Sequence, residues 1–430
     1  MKSTISTAVR SALVTAACAL PFAAIATDGY FSHGYGMKSK GMAGAATALS
    51  ADAFGGANNP ASMVWAGNRF DIGVDLFSPH RKVSRSGSGG GVLDFSVDSD
   101  STLFAIPELG YNMMFSPNVS LGVSVYGNGG MNTDFEGGQL NCTPFGGPPS
   151  ANGLCGVGRL GVNLEQLIIA PTVAWKFASD HSLGVSPLFG YQKFRAQGVQ
   201  LFTQLSQTPG EVTNRDHDNS TGFGVRLGYM GRLGPMVTVG ATYASKMKMS
   251  EFDKYKGLFA ENGDFDLPEH YSLGVALHPT NGWTIAVDYK KIKYSGIASV
   301  GNPSTNQAPL GSAGGPGFGW SDVDVFKVGV EYQASPALAL RAGFGRTDNP
   351  IQSRDVTFNI LAPGVVKDHY TLGFTYAVDK SSEITGAYMH AKRNAVSGPS
   401  FFNAFAPGMG GSETIEMYQN SLGVAWGMRW

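Results

Sequence analysis

Few residues of this chain stand in arrangements that could do chemistry. Gly156-Val157-Gly158-Arg159-Leu160-Gly161 matches the GxGxxG spacing of a dinucleotide loop. That loop works only between a strand and a helix, where the helix N-terminus receives the pyrophosphate. Here Cys155 and a loop precede it and an alternating, strand-like run follows, so the match is formal. Arg215-Asp216-His217-Asp218 holds donors for a divalent cation, but reads better as a solvated loop tip. The eight histidines form no HExxH, and no GxSxG marks a nucleophile elbow. A hydrolase on a barrel wall would need one Ser and one His to meet, and nothing in the sequence brings a pair together. The expectation is a protein that is not an enzyme and needs no metal or cofactor.

The elements that would carry these residues start with the N-terminus. Lys2 and Arg10, the apolar run Ser11 to Phe22 and the small residues Ala24-Ile25-Ala26 form a secretory signal peptide over residues 1–26. The apolar run is too short for a membrane helix, and Pro21 interrupts it. Cys18 brings up a lipoprotein signal, but Thr15 stands where an aliphatic residue is needed. Beyond the signal, Cys142 and Cys155 are separated by 12 residues. In an oxidising compartment this pair is most simply a loop disulfide, with free thiols or a metal site as the rival reading.

Charged residues make up 15% of the chain and glycines number 59, against usages of about 25% and 7% in ordinary proteins. Mean hydropathy is −0.05, far too polar for a bundle of membrane helices. No segment after the signal offers the roughly 18 apolar residues such a helix requires. A barrel in lipid gives this average, because alternate residues face hydrocarbon and lumen. The net charge of −1 and the lack of basic runs give no support for nucleic-acid binding, and none is expected.

From about Asn68 the chain repeats an alternating run, a tight turn, another alternating run and a long loop. In Val119-Ser120-Leu121-Gly122-Val123-Ser124-Val125 every odd residue is aliphatic and every even one small or polar. That period of two means a strand with one apolar face. The pattern recurs through Phe326-Val328-Val330-Tyr332 and Tyr370-Leu372-Phe374-Tyr376 to the last residues, Leu422 to Trp430. Six short turns, near Ser116–Asn118, Ser179–His181, Arg232–Pro235, Pro279–Gly282, Ala334–Pro336 and Asp379–Ser382, join six strand pairs, and one strand remains at each end. The count is 14, so the fold class is all-β: a transmembrane antiparallel β-barrel over residues 68–430, with short turns periplasmic and long loops extracellular. Phe115, Phe177, Trp283, Tyr332 and Tyr376 abut short turns, while Tyr191, Tyr243, Tyr289 and Tyr388 lie a membrane's strand length away. Two such girdles are what the two lipid–water interfaces select.

Residues 27–67 do not alternate. They are rich in Gly and Ala, as in Gly41-Met42-Ala43-Gly44-Ala45-Ala46, and contain Asp52 and Asn59-Pro60-Ala61. A 14-stranded barrel leaves a lumen, and this segment is read as an N-terminal hatch that plugs it. The run Gly41…Ala45…Asp52-Ala53…Asn59-Pro60-Ala61 resembles the N-terminal hatch of the FadL family of outer-membrane transporters for long-chain fatty acids and aromatic hydrocarbons. Gly122 to Val125 with Gly130-Met131-Asn132-Thr133-Asp134-Phe135 is similar to that family's third strand. Leu267 to Val275 and Leu340-Arg341-Ala342-Gly343-Phe344 match in the same order, and the family also has 14 strands. One departure is Tyr294, where many relatives carry Trp.

The resemblance implies a monomeric, passive channel in the outer membrane of a Gram-negative cell, whose partners are a hydrophobic ligand, membrane lipid and, during biogenesis, the barrel assembly machinery. It implies capture in an apolar pocket and sideways exit into the bilayer through a kink in the third strand. Gly127, Gly129 and Gly130 stand where that kink would fall, since glycine inside a strand marks bulges and close approaches. The Asn59-Pro60-Ala61 element is the expected occupant or support of that gap. Inward Arg226, Lys327 and Arg341 could meet a ligand carboxylate, or close salt bridges within the lumen. A general porin or a surface receptor barrel is the alternative function.

Overall fold

The computed structural model describes residues 28–405 and 407–430, so the signal-peptide reading of residues 1–26 lies outside the described residues. Fourteen long strands form one antiparallel barrel. They are β1 (Arg69–Ser86), β2 (Phe104–Ser116), β3 (Val119–Asn132), β4 (Gly161–Ala178), β5 (His181–Gln197), β6 (Asp218–Arg232) and β7 (Val237–Ala244). The second half is β8 (His270–Leu277), β9 (Trp283–Ile292), β10 (Val323–Ser335), β11 (Leu338–Thr347), β12 (Asp368–Ala377), β13 (Ser382–Pro399) and β14 (Ser412–Arg429). Each pairs with its sequence neighbours, and β14 pairs with β1 from Arg69↔Arg429 to Ser86↔Ser412, which closes the sheet. Two short extensions, Phe95–Asp98 on β1 and Lys248–Met249 on β6, thicken the rim at the long-loop end.

Alternation sets the register as expected. On β12, Leu372 is 62% exposed on the outer face while its neighbour Thr371, at 3%, points inward. The outward face of β1 is apolar through Phe70, Ile72, Val74 and Leu76, then turns polar at Ser78, His80 and Lys82. The hydrocarbon band ends there and the longest strands run on past it. The two aromatic girdles sit across these registers, with Trp283 against Tyr332 on the short-turn side and Tyr289 against Phe326 opposite. Cys142 and Cys155 are joined in the loop between β3 and β4.

Residues 28–67 lie inside the barrel, almost all buried. Glycines on the inner wall make room for their backbone: a Cβ on Gly240 would fall 2.0 Å from the Thr47 carbonyl oxygen, and one on Gly184 2.3 Å from the Pro60 carbonyl carbon. Polar side chains of the wall then satisfy the segment's peptide groups. Asp288 Oδ2 accepts from the amides of Ala46 and Thr47, both at 2.8 Å. Asp71 Oδ2 accepts from Ala53 N at 2.9 Å. Arg226 Nη1 donates to the carbonyls of Gly56 and Ala57 at 2.6 Å each. Buried ion pairs fix the side chains: Lys40 with Asp75 at 2.7 Å, Lys38 with Glu383 at 2.6 Å and Asp28 with Lys327 at 3.0 Å.

Two outcomes follow from this layout. Cysteines at Val92 and Ala313, in exposed long-loop positions, will react with an impermeant maleimide on intact cells, and cysteines at Asn118 and Thr280 will not. Reaction at the turn sites would invert the topology. Asp288→Ala strips the acceptor from two buried amides, each worth about 1–3 kcal/mol. Amide exchange at Ala46 and Thr47 should accelerate at least about tenfold while the barrel keeps its heat-modifiable migration. Unchanged exchange would show that Asp288 does not hold the segment.

Candidate functional site: the third strand and the lumen above it

The wall departs from regular pairing at several places, among them β13, whose register with β14 shifts between Ala391 and Asn394, and β3. Its partner β4 is in continuous register up to Gly127↔Leu167, and the ladder then resumes at Gly129↔Gln166, leaving Asn128 as the extra residue of a bulge. On the other side, pairing with β2 stops at Glu108↔Tyr126, although β2 continues to Phe104 against β1. The edge of β3 from Gly127 onward is therefore unpaired by the barrel.

The N-terminal segment supplies what is missing. Phe31 bridges Gly129 in antiparallel fashion. Ser32 N donates to the Asn128 carbonyl and Gly130 N to the Tyr30 carbonyl, both at 3.0 Å. Gly129 must be glycine for this approach, since a Cβ would stand 1.8 Å from the Tyr30 oxygen. The Asn128 side chain donates to Gln166 at 3.0 Å and accepts from the Tyr35 hydroxyl at 3.1 Å, so the bulged residue is held on its inner side.

Asn59-Pro60-Ala61 is not at this gap. It packs on the β5–β6 wall nearer the short turns, where Asn59 Nδ2 donates to the carbonyls of Thr47 (2.7 Å) and Tyr229 (2.9 Å) and Oδ1 accepts from Ala61 N at 3.0 Å. Pro60 opens a single 3₁₀ turn capped by Asn59. The element acts as a buried cap and wall anchor, and Tyr30 to Ser32 take the place at β3 expected of it. Asp52 lies in the same segment and accepts from Phe54 N at 3.1 Å.

Above the bulge lies an aromatic cluster. Tyr30 packs against Tyr294, Trp320 and Phe265 with ring centroids 5.0, 5.8 and 6.0 Å apart. Tyr294, the departure noted in the sequence, accepts from Tyr30 N at 3.2 Å and donates to the Asp28 carbonyl. Tyrosine thus ties down the start of the N-terminal segment through an oxygen. Around this group the long loops and the adjoining strand ends build a continuous apolar mass that includes Phe194, Phe202, Phe259, Phe318 and Phe358. A cavity of about 30 Å³ remains among these phenylalanines. In the adjoining loop, burial and the neighbouring Asp266 charge push the Asp264 carboxyl up to about 7.

The three inward cations singled out in the sequence do not converge. Arg226 and Lys327 hold the N-terminal segment, and Lys327 Nζ also donates to the His33 carbonyl at 2.5 Å. Arg341 pairs with Glu331 at 2.5 Å and bonds Thr375. Each is engaged with the interior; Arg341 also borders a cavity of about 460 Å³ between the N-terminal segment and the short-turn end of the wall, and Arg226 and Lys327 border one of about 40 Å³. The Arg215–Asp218 tip braces its loop, with the Asp218 carboxylate accepting from Lys254 N at 2.8 Å. Period-two parity, counted from Phe77, also places Arg81 on the inner face of β1. Sequence reading passed over that residue.

A family model described as outer membrane protein transport protein (OMPP1/FadL/TodX) matches residues 16–403. Among solved structures the chain is similar to the Pseudomonas putida toluene transporter TodX, with 18% identity and a TM-score of 0.68. That match covers 93% of this chain and 99% of that one. A Pseudomonas aeruginosa FadL homologue aligns with 14% identity and a TM-score of 0.68, again over 93% and 99% of the two chains. The Ralstonia pickettii toluene transporter TbuX aligns with 17% identity and a TM-score of 0.62 over the same shares. None of the curated proteins compared with the chain matches it. At these identities the structures speak for the fold, a closed 14-stranded barrel, and the family model speaks for descent. The chain is an outer-membrane β-barrel of the Gram-negative type and belongs to the OMPP1/FadL/TodX family of outer membrane transport proteins, which are channels and not enzymes.

Proposed function

We propose that the protein is a passive channel for hydrophobic small molecules, long-chain fatty acids or aromatic hydrocarbons, in which residues 27–67 act as the hatch. The ligand enters the apolar mass formed by the long loops and leaves sideways through the wall at β3. One observation carries this reading: between Gly127 and Asn132 the backbone hydrogen bonds on the β2-side edge of β3 come, among the described residues, from Tyr30 to Ser32, and the barrel pairs again only beyond it, at Asp100 with Asp134. A seal made of two backbone hydrogen bonds can leave without disturbing the barrel ladder. An apolar molecule passing through it reaches hydrocarbon without crossing water. Two of the structures the chain resembles are toluene transporters, and toluene is an apolar cargo. The N-terminal segment, bonded to the inner wall across the lumen, argues against a general porin, which needs a continuous aqueous path.

The test removes the bulge. Deleting Asn128 joins Gly127 to Gly129 in uninterrupted register with β4 and lets β3 rise straight beside β2. Uptake of a radiolabelled hydrophobic substrate by cells should fall at least about tenfold, with surface level and heat-modifiable migration unchanged. A well-folded deletion variant that transports normally would refute the lateral route.

A further inference from the structure

The outward face of the wall changes character where β1, β13 and β14 run past the hydrocarbon band. On β13 the register with β14 shifts between Ala391 and Asn394, which pair with the inward residues Gln419 and Met417. Lys392 and Arg393 therefore stand together opposite Tyr418 alone, and both are exposed. By simple alternation Arg393 would have turned into the lumen. A bulge re-aims side chains, and this one sets two adjacent cations at a single outward position.

Tyr418 is the floor of the patch. The Arg393 guanidinium lies 4.6 Å from its ring centroid, and the His80 ring stacks on it from β1 with centroids 4.5 Å apart. Lys82 follows two residues beyond His80 on the same face and is exposed. Two carboxylates lie among these groups: Glu416, paired with Arg393, and Asp98, the cross-strand neighbour of Lys82. Neither Lys82 nor Lys392 has an ion pair among the described residues. Along β9 to β12 the cations of the rim are instead neutralised: Lys291 by Asp324 at 3.0 Å, Lys293 by Glu269 at 2.7 Å and Arg346 by Asp368 at 3.4 Å.

Depth in the membrane indicates what supplies the missing negative charge. Tyr388, in the girdle at the long-loop end, stands four residues before Lys392, and the apolar outer face of β1 ends at Leu76, six residues before Lys82. At about 3.3 Å per residue along a tilted strand, these cations begin roughly 10 to 15 Å beyond the hydrocarbon. Lysine and arginine stems bend back toward an interface from that distance. The outward leaflet of a Gram-negative outer membrane is built of glycolipids whose sugars carry phosphate monoesters. We infer that Lys82, Lys392 and Arg393 bind the phosphate groups of such a glycolipid, with its acyl chains lying on the apolar outer wall of β1, β13 and β14 below. An arginine offers a phosphate paired hydrogen bonds and the two lysines add point charges. The site faces lipid and works whatever the channel carries.

The experiment is native mass spectrometry of the full mature protein in detergent, titrated with three lipids. They are diphosphoryl lipid A, the same lipid A stripped of both phosphates, and phosphatidylglycerol, whose phosphate is a singly charged diester. The wild type should bind diphosphoryl lipid A at least about tenfold more tightly than either of the others. Lys82→Gln/Lys392→Gln/Arg393→Gln should reduce that preference to about twofold or less, with heat-modifiable migration unchanged. Lys291→Gln/Lys293→Gln, which removes two cations that already have partners, should keep it. No preference in the wild type, a preference that survives the triple substitution, or an equal loss in the Lys291 and Lys293 variant overturns the assignment. Equal binding of diphosphoryl lipid A and phosphatidylglycerol would mean attraction to anionic lipid in general, and overturns it as well. Should the triple variant misfold through loss of the Arg393–Glu416 pair, Lys82→Gln/Lys392→Gln leaves that pair in place. It should still weaken diphosphoryl lipid A at least about threefold, and unchanged affinity there would equally reject the site.

Discussion

Peptide groups in a hydrocarbon layer have no water to bond, so each must find a partner within the protein. Most of this structure follows from that constraint. It closes β14 onto β1, because an open edge could not survive in lipid. Closure at 14 strands creates a lumen, and a lumen must be filled or lead somewhere. The same constraint bears on the filling: chain threaded through a barrel needs acceptors and donors from the wall, which Asp71, Arg226 and Asp288 supply. It returns at β3, where the barrel leaves an edge uncovered and Tyr30 to Ser32 cover it from inside.

The charges on the inner wall are best understood as position-setters. A buried ion pair such as Lys40 with Asp75 gains little net stability over an apolar pair, because both ions have left water. Breaking it by removing one partner, in contrast, costs about 3–5 kcal/mol. The energetic asymmetry penalises wrong placements of the N-terminal segment more than it rewards the right one. Lys38, Lys40 and Asp28 each meet a different stretch of wall, on β13, β1 and β10, so the segment has one registration that satisfies all three. In such a scheme the unpaired Arg81 is conspicuous. Every other inward cation on β1 has a carboxylate beside it.

The barrel was legible because lipid imposes a period of two that no soluble fold maintains over so many runs, and because girdle aromatics such as Trp283 and Tyr289 sit at fixed depths. Strand number and turn positions came from that frame, while the Cys142–Cys155 pairing came from the secretory signal and an isolated pair of cysteines beyond it. The outer ends of strands were less legible. Past Ser78 on β1 both faces meet protein or water, and the alternation fades while the hydrogen-bonded ladder continues. Where Asn59-Pro60-Ala61 would sit could not be read at all. A segment without periodicity carries no record of which wall it faces, and the deciding signal lay elsewhere, in glycines such as Gly184 that need no explanation as strand residues until the Pro60 backbone is found against them. Arg226, Lys327 and Arg341 were correctly turned inward by parity, but parity cannot tell a cation that is satisfied from one that is not.

That distinction also bears on how the hatch could move. The ladder between β1 and β14 alone spans 18 residue pairs, whereas the seal on β3 is two backbone bonds, one bulged asparagine and the rings of Tyr30 and Phe31. Local opening draws on the least stable part of a structure, so in the proposed mechanism the seal yields long before the barrel does. The Tyr30 ring makes this coupling chemical as well as mechanical. It occupies the aromatic cluster that a hydrophobic ligand would enter, and its carbonyl is the atom that pairs with Gly130. A ligand that competes for the ring's place therefore acts on the same residue that closes the wall. In the proposed mechanism binding energy and exit are linked through one side chain and its own peptide group, with no need for the ion pairs deeper in the lumen to break.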